Sequence, residues 1–237
     1  MNIHAFAELG RHFESLEEVD FGLAESVDSH MVQGILESCP RLLIFRGPKV
    51  DARDIVNGGP WVCMSLRSMK LPFDVAVPAA AGTSSESASS AASSSSPKVA
   101  AITVIPSSSS SSSSSTAPST ANTLPVEVGR QVLQRIGALV ALEELDVGSE
   151  RDNVNGVQLT LEEGLDALGA LRHLSVLRLA RTGQHIGRPD LSWMLDTWSQ
   201  LKVIDGVLDH DDGEQSKVMA DSLKLEKNSH VLFSNRG

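Results

Sequence analysis

The sequence predicts an α/β fold assembled from repeated helix–turn–strand units, and three observations predict it. Leu142-Glu-Glu-Leu145-Asp-Val147 fits the pattern L-x-x-L-x-L, and related segments begin at Leu16, Leu42, Leu66, Leu174 and Leu201. The residue three before each first leucine is apolar in all six cases: Phe13, Cys39, Cys63, Leu139, Leu171 and Trp198. Between these segments apolar residues recur at helical spacing instead.

The first leucines lie 26, 24, 76, 32 and 27 residues apart, so four of the five steps fall in or close to the period of leucine-rich repeats. Across four positions of each unit, the three leucine positions of L-x-x-L-x-L and the residue three before the first, 22 of 24 residues are apolar and the other two are Gly47 and Gly206. A 41% apolar background would supply about 10, so the register is not a product of composition. Such units are expected to stack as a right-handed, curved solenoid with parallel strands on its concave face and helices on its convex face.

Each helix has its own apolar stripe. Phe6, Leu9 and Phe13 suggest an opening helix, and Met31, Ile35, Leu36 and Cys39 share one face of the next. Asp51–Val56 is a poorer helix, stopped by Gly58-Gly59-Pro60. Val128, Val132, Ile136 and Leu139 form a further stripe. Leu161, Leu165, Leu168 and Leu171 form another, with Thr160 and Glu163 spaced as a capping box. Leu191, Met194, Leu195 and Trp198 form the last, with Pro189 suited to a first helical turn. A helix over Val218–Leu225 and an end strand at Val231–Phe233 are expected to close the C-terminal edge.

The 76-residue step contains a different material. Residues 76–124 hold nine consecutive serines, Ser107–Ser115, a serine-alanine block at Thr83–Ser96, and only Glu86 and Lys98 as charges. That composition buries too little apolar surface to offset chain ordering, so a disordered insertion is expected. Removing its 49 residues turns the long step into 27. The expected organisation is one domain in two parts, 1–75 and 125–237, interrupted by 76–124. The run Val99–Ile105 is apolar and β-prone: a transient strand, a partner motif, or simply a sticky stretch.

A net charge of −10 and a pI near 5.1 argue against general nucleic-acid binding and against docking on anionic membranes. No apolar run reaches the 18 or so residues that cross a bilayer, and the N-terminus lacks the pattern of a secretory signal. An intracellular location, cytoplasm or nucleus, is expected, with Cys39 and Cys63 as free thiols in the core. The seven histidines show no ligand spacing, and no phosphate-binding, dinucleotide or nucleophile-elbow motif occurs, so no metal, cofactor or catalytic residue is expected. Asp209-His-Asp-Asp-Gly213-Glu resembles part of a calcium loop, but its glycine comes one position early and the closing glutamate is missing; a solvated acidic turn is the expectation.

The candidate site is the inner face. The residue between the last two core positions of each strand should point to the concave surface: Asp20, Arg46, Lys70, Asp146, Arg178 and Asp205. With strands about 4.8 Å apart, these form one charged row in which four of five neighbouring pairs have opposite sign. Such a row is either a self-neutralising surface ladder or a strip that meets a partner's complementary groups.

Ile35-Leu-Glu-Ser-Cys39-Pro-Arg-Leu42 resembles the helix-to-strand joint of the leucine-rich repeats of F-box proteins. Trp61-Val-Cys-Met-Ser-Leu66-Arg and the stretch Val157–Leu174 resemble fungal members of that family in particular. The resemblance implies a repeat region that holds substrates while an F-box attaches to the Skp1 adaptor of a cullin ubiquitin ligase. The chain opens directly in a repeat, and Leu124-Pro-Val-Glu, which superficially resembles the start of an F-box, reads as a repeat helix; the ligase role therefore needs an F-box supplied upstream. The expectation is a non-enzymatic protein-interaction module with a protein partner on its concave face. The alternatives are a stand-alone adaptor or truncated repeat fragment, and an enzyme whose site is assembled from scattered residues.

Overall fold

The computed structural model describes residues 3–22, 24, 27–75, 123–148, 156–206, 221–222 and 230–234. All but the last two residues of the expected serine-rich insertion, the acidic Asp209–Glu214 turn and most of the expected Val218–Leu225 helix lie outside the described residues; Thr123 and Leu124, expected in the insertion, instead begin a helix. The described chain is α/β, with a mostly parallel seven-stranded sheet and helices between its strands.

The strands are short and alike. β1 (Glu18–Asp20), β2 (Ile44–Arg46), β4 (Ser68–Lys70), β6 (Glu144–Asp146), β7 (Val176–Arg178), β8 (Val203–Asp205) and β9 (Leu232–Ser234) lie side by side in that order, every pair parallel. All six segments identified from the leucine pattern contain one of these strands, and the expected end strand is β9, at the sheet's edge beside β8. A second, two-stranded parallel sheet pairs β3 (Val50–Asp51) with β5 (Phe73–Asp74). It forms where the chain continues in extended form past β2 and β4.

Alternation along each strand explains the register. The middle residues Val19, Phe45, Met69, Leu145, Leu177 and Ile204 are buried and lie in one row across the sheet. A slip by one residue would carry this whole set to the opposite face. Of the 24 repeat positions, 21 are buried; the three half-exposed ones are Phe13, Leu16 and Phe21 of the first unit, whose strand β1 is at an edge of the described sheet.

Local chemistry starts the helices. α1 (Ile3–Gly10) sets Phe6 against Gly34 of α2 (Ser29–Ser38), and Phe6 and Phe13 meet edge to face at 5.7 Å. Asp28 caps α2 by accepting from the Met31 amide at 2.8 Å, and Asp51 caps α3 (Ala52–Asn57) by accepting from Arg53 at 2.8 Å. α4 (Thr123–Gly137) follows the insertion directly. α5 (Arg188–Thr197) carries Pro189 in its first turn, and the Asp190 carboxylate accepts from the Gly187 amide at 2.8 Å and from the Leu161 amide at 2.8 Å.

One expected helix is absent. The stripe Leu161–Leu171 does not form an α-helix: residues 161–164 turn, and Leu165–Ala170 make a 3₁₀ helix. Thr160 does accept from the Glu163 amide at 3.3 Å, but Gly164 then adopts φ +104°, a left-handed conformation that ends helical propagation. Leu165, Leu168 and Leu171 are fully buried all the same.

The sheet passes over the insertion without a break. Ser68, Met69 and Lys70 pair with Glu144, Leu145 and Asp146, and the Ser68 hydroxyl donates to the Glu144 carboxylate at 3.0 Å. Behind the sheet the Arg135 guanidinium of α4 donates to the carbonyls of Val56 (2.9 Å), Gly58 (2.6 Å) and Gly59. These carbonyls end α3 and begin the Gly58-Gly59-Pro60 stop, where orphan acceptors need donors. Buried Gln33 ties the same loop to α2: its amide donates to Gly59 O at 2.9 Å and to Glu37 at 2.6 Å, and it accepts from the Trp61 indole at 3.0 Å.

Candidate functional site

The first and third residues of each strand point away from the buried middle residues. The third residues are the six picked from the sequence. Asp20 lies opposite Arg46, Arg46 opposite Lys70, Lys70 opposite Asp146, Asp146 opposite Arg178, and Arg178 opposite Asp205. The structure thus brings all six into one row.

Five of the six are half-buried or exposed. Asp205 is not: it is 3% exposed, so the sixth position is a buried carboxylate rather than part of an open surface. It is the only one of the six with β9 as its outer neighbour, Ser234 lying opposite it.

The row is not a simple ladder of cross-strand pairs. Asp20 Oδ2 lies 3.3 Å from Arg46 Nη1, which also lies 3.3 Å from Glu18 of the same strand as Asp20. Arg178 pairs with Glu144 of the neighbouring strand. Asp146 accepts from the Gly148 amide at 2.9 Å, and Asp20 accepts from the Gly22 amide at 2.8 Å. The Gly22 amide, followed by the Arg46 hydrogen bond and the Arg46 and Lys70 charges, holds the Asp20 carboxyl below its ordinary value. A carboxylate whose charged form accepts hydrogen bonds is stabilised in that form.

A second row was missed. The first residues of the strands, Glu18, Ile44, Ser68, Glu144, Val176, Val203 and Leu232, run parallel to the charged row in the same register. The same L-x-x-L-x-L template places its third position outward as well as its fifth, so the sequence carries the signal for this row too. This row supplies the carboxylates that engage both arginines. Toward β9 it becomes apolar, with Val176, Val203 and Leu232 adjacent and Leu232 64% exposed. The face therefore changes character along the sheet, from charged pairs over β1–β6 to a mixed apolar and charged surface over β7–β9.

Other titratable groups with shifted values lie elsewhere. Burial pushes the Cys39 and Cys63 thiols up to about 11, and both side chains are fully buried, consistent with core residues at equivalent repeat positions. Burial, then the neighbouring Glu162, raises Glu163. Among the described residues no helix is long and apolar enough to cross a membrane, and no three His, Cys, Asp or Glu side chains are grouped to hold a metal ion.

No protein-family model matches the chain, and searches of curated proteins and of solved structures likewise return no match.

Proposed function

We propose that the chain is a non-enzymatic protein-recognition module, a leucine-rich-repeat solenoid that holds a partner protein on the outward face of its seven-stranded sheet. The alignment of Asp20, Arg46, Lys70, Asp146 and Arg178 in one register carries this reading. A row of mixed charge, with Arg46 and Lys70 as adjacent cations between Asp20 and Asp146, offers several groups at fixed spacing to one extended partner surface. The charges already pair with one another, but the Arg46 pairs are about half exposed. Exposed pairs contribute only about 0–1 kcal/mol each, so a partner's charges can exchange with them at small cost. The apolar end at Val203 and Leu232 would supply the desolvated contact that charged rims lack.

The resemblance to F-box repeat regions extends the proposal to substrate recognition in a cullin ubiquitin ligase, with the F-box supplied on a longer polypeptide.

The test is affinity capture from native cytosol with the wild-type chain and with the Arg46→Glu/Lys70→Glu double variant. A stable partner lost at least tenfold by the double variant, with the melting temperature unchanged, supports the face. Recovery of Skp1 and cullin with the wild type supports the ligase role; undiminished capture by the charge-reversed chain would overturn the assignment of the face.

A further inference from the structure

The shortness of α3 opens a cleft on the helical side of the molecule. α3 has six residues where α4 beside it has fifteen, and the chain turns away at Gly58-Gly59-Pro60. The space left has a volume of about 450 Å³, with Val56, Trp61, Leu139, Met64 and Ala138 as its apolar lining and Arg135 at its side. That volume lies within the range of ligand pockets, roughly 300–1,000 Å³. Trp61 and Leu139 are buried beneath it, while Met64 is 53% exposed. Methionine is suited to such a place because its unbranched, polarizable side chain adapts to what packs on it. The Arg135 charge is already engaged by three backbone carbonyls, so an occupant need bring no anion.

We propose that this cleft is the docking site of the chain's own segment Val99–Ile105. The segment is Val-Ala-Ala-Ile-Thr-Val-Ile, seven residues without a charge, inside a stretch whose only charges are Glu86 and Lys98. Its chemistry matches an apolar cleft with a satisfied cation. Its position in the chain favours it over other occupants. Residues 106–122 join it to Thr123, the first residue of α4, and α4 itself forms one wall of the cleft through Gln131, Gln134 and Arg135, with Ala138 just past its end. From Thr123 to Gln131 is about 12 Å along the helix, at 1.5 Å per residue. Seventeen residues reach at most about 60 Å, so the attachment is long enough to span that distance. The attachment holds the segment at an effective concentration on the order of millimolar beside the cleft, which a separate chain at ordinary concentration does not match.

Disulfide trapping in the full-length chain tests the proposal. Met64→Cys is combined in turn with Ile102→Cys, Val104→Cys, Ser89→Cys and Ser111→Cys, and bond formation is timed under mild oxidant. Cys39 and Cys63 are fully buried and leave the background low. Docking predicts intrachain bonds at Ile102 or Val104 at least tenfold faster than at the two serine positions. Adding Ala138→Arg, at an exposed position in the lining, should return the fast pair to the serine rate while the melting temperature holds. Equal rates at all four positions would refute the docking. Bonds that form mainly between copies would refute it too, and would point to a second copy as the occupant.

Discussion

The Arg135 guanidinium donates to the Gly58 carbonyl at 2.6 Å although 77 positions of sequence separate them. With the Val56 and Gly59 carbonyls, this bond fastens the helix after the insertion to the helix before it. Replacing Arg135 by methionine keeps much of the aliphatic stem and leaves three acceptors without their donor. Loss of a charged donor to buried or half-buried acceptors costs roughly 2–4 kcal/mol. The expected result is a lower urea midpoint with an unchanged slope.

Gly137 ends α4 against the 3₁₀ helix Leu165–Ala170. A Cβ built there would lie 2.1 Å from the Ala167 carbonyl oxygen, and a backbone atom cannot swing aside as a side-chain tip can. Gly137→Ala therefore has to separate two packed elements, at a cost of about 1–3 kcal/mol or more. Thermal unfolding of the variant checks it; Gly129→Ala, where the nearest atom is 3.8 Å away in the Val157 side chain, is the matched control and should be neutral or stabilising.

Acid titration should find Asp20 below the ordinary carboxyl value. Because its folded pKa is lowered, its contribution to stability is present above the unfolded value near 3.8 and is lost as pH falls through the folded value. Carboxyl-resolved NMR titration reads this directly. Arg46→Gln should move the midpoint only part of the way back, because the Gly22 amide, the largest cause, remains.

The two cysteines give the opposite sign. Thiols pushed up to about 11 by burial stabilise the fold fully below their unfolded value near 9, and that contribution is lost as pH rises from about 9 through 11. At pH 8 the folded chain should resist a thiol reagent over hours, and both sulfurs should react promptly in denaturant. Rapid reaction of one thiol without denaturant would contradict the burial.

The sheet was legible because its code is redundant. Six of the seven strands lie in segments with apolar residues, or in two places glycine, at four fixed offsets, and the middle residue of each of these strands is buried. The Leu161–Leu171 segment was misread because the same leucine spacing serves an α-helix and a turn followed by 3₁₀ geometry; Gly164 decides between them through one positive φ. The β3–β5 sheet was not seen because two residues per strand carry no alternation, and its pairing depends on Val50 donating to Pro72 O across the two units. Gln33 is a polar residue within α2 and is nonetheless buried, bonded to a glycine carbonyl and an indole that no sequence spacing places beside it. For the candidate face, the charged row was readable from the template, while the burial of Asp205 was not, since it depends on neighbours beyond its own repeat.

The pairing of β4 with β6 makes one junction in the sheet unlike its neighbours during folding. β1 to β2, β2 to β4, β6 to β7 and β7 to β8 each join partners about one repeat apart, whereas Ser68 and Glu144 must meet across 76 positions. Loop-closure entropy grows with the logarithm of loop length, so this seam costs only about 1 kcal/mol more than its neighbours. Its pairing is nonetheless the most distant in sequence of the strand pairs in the described sheet, which favours assembly of 3–75 and 123–206 as separate nuclei that join late. Lengthening or shortening the serine tract should then alter the joining rate while leaving the equilibrium fold almost untouched.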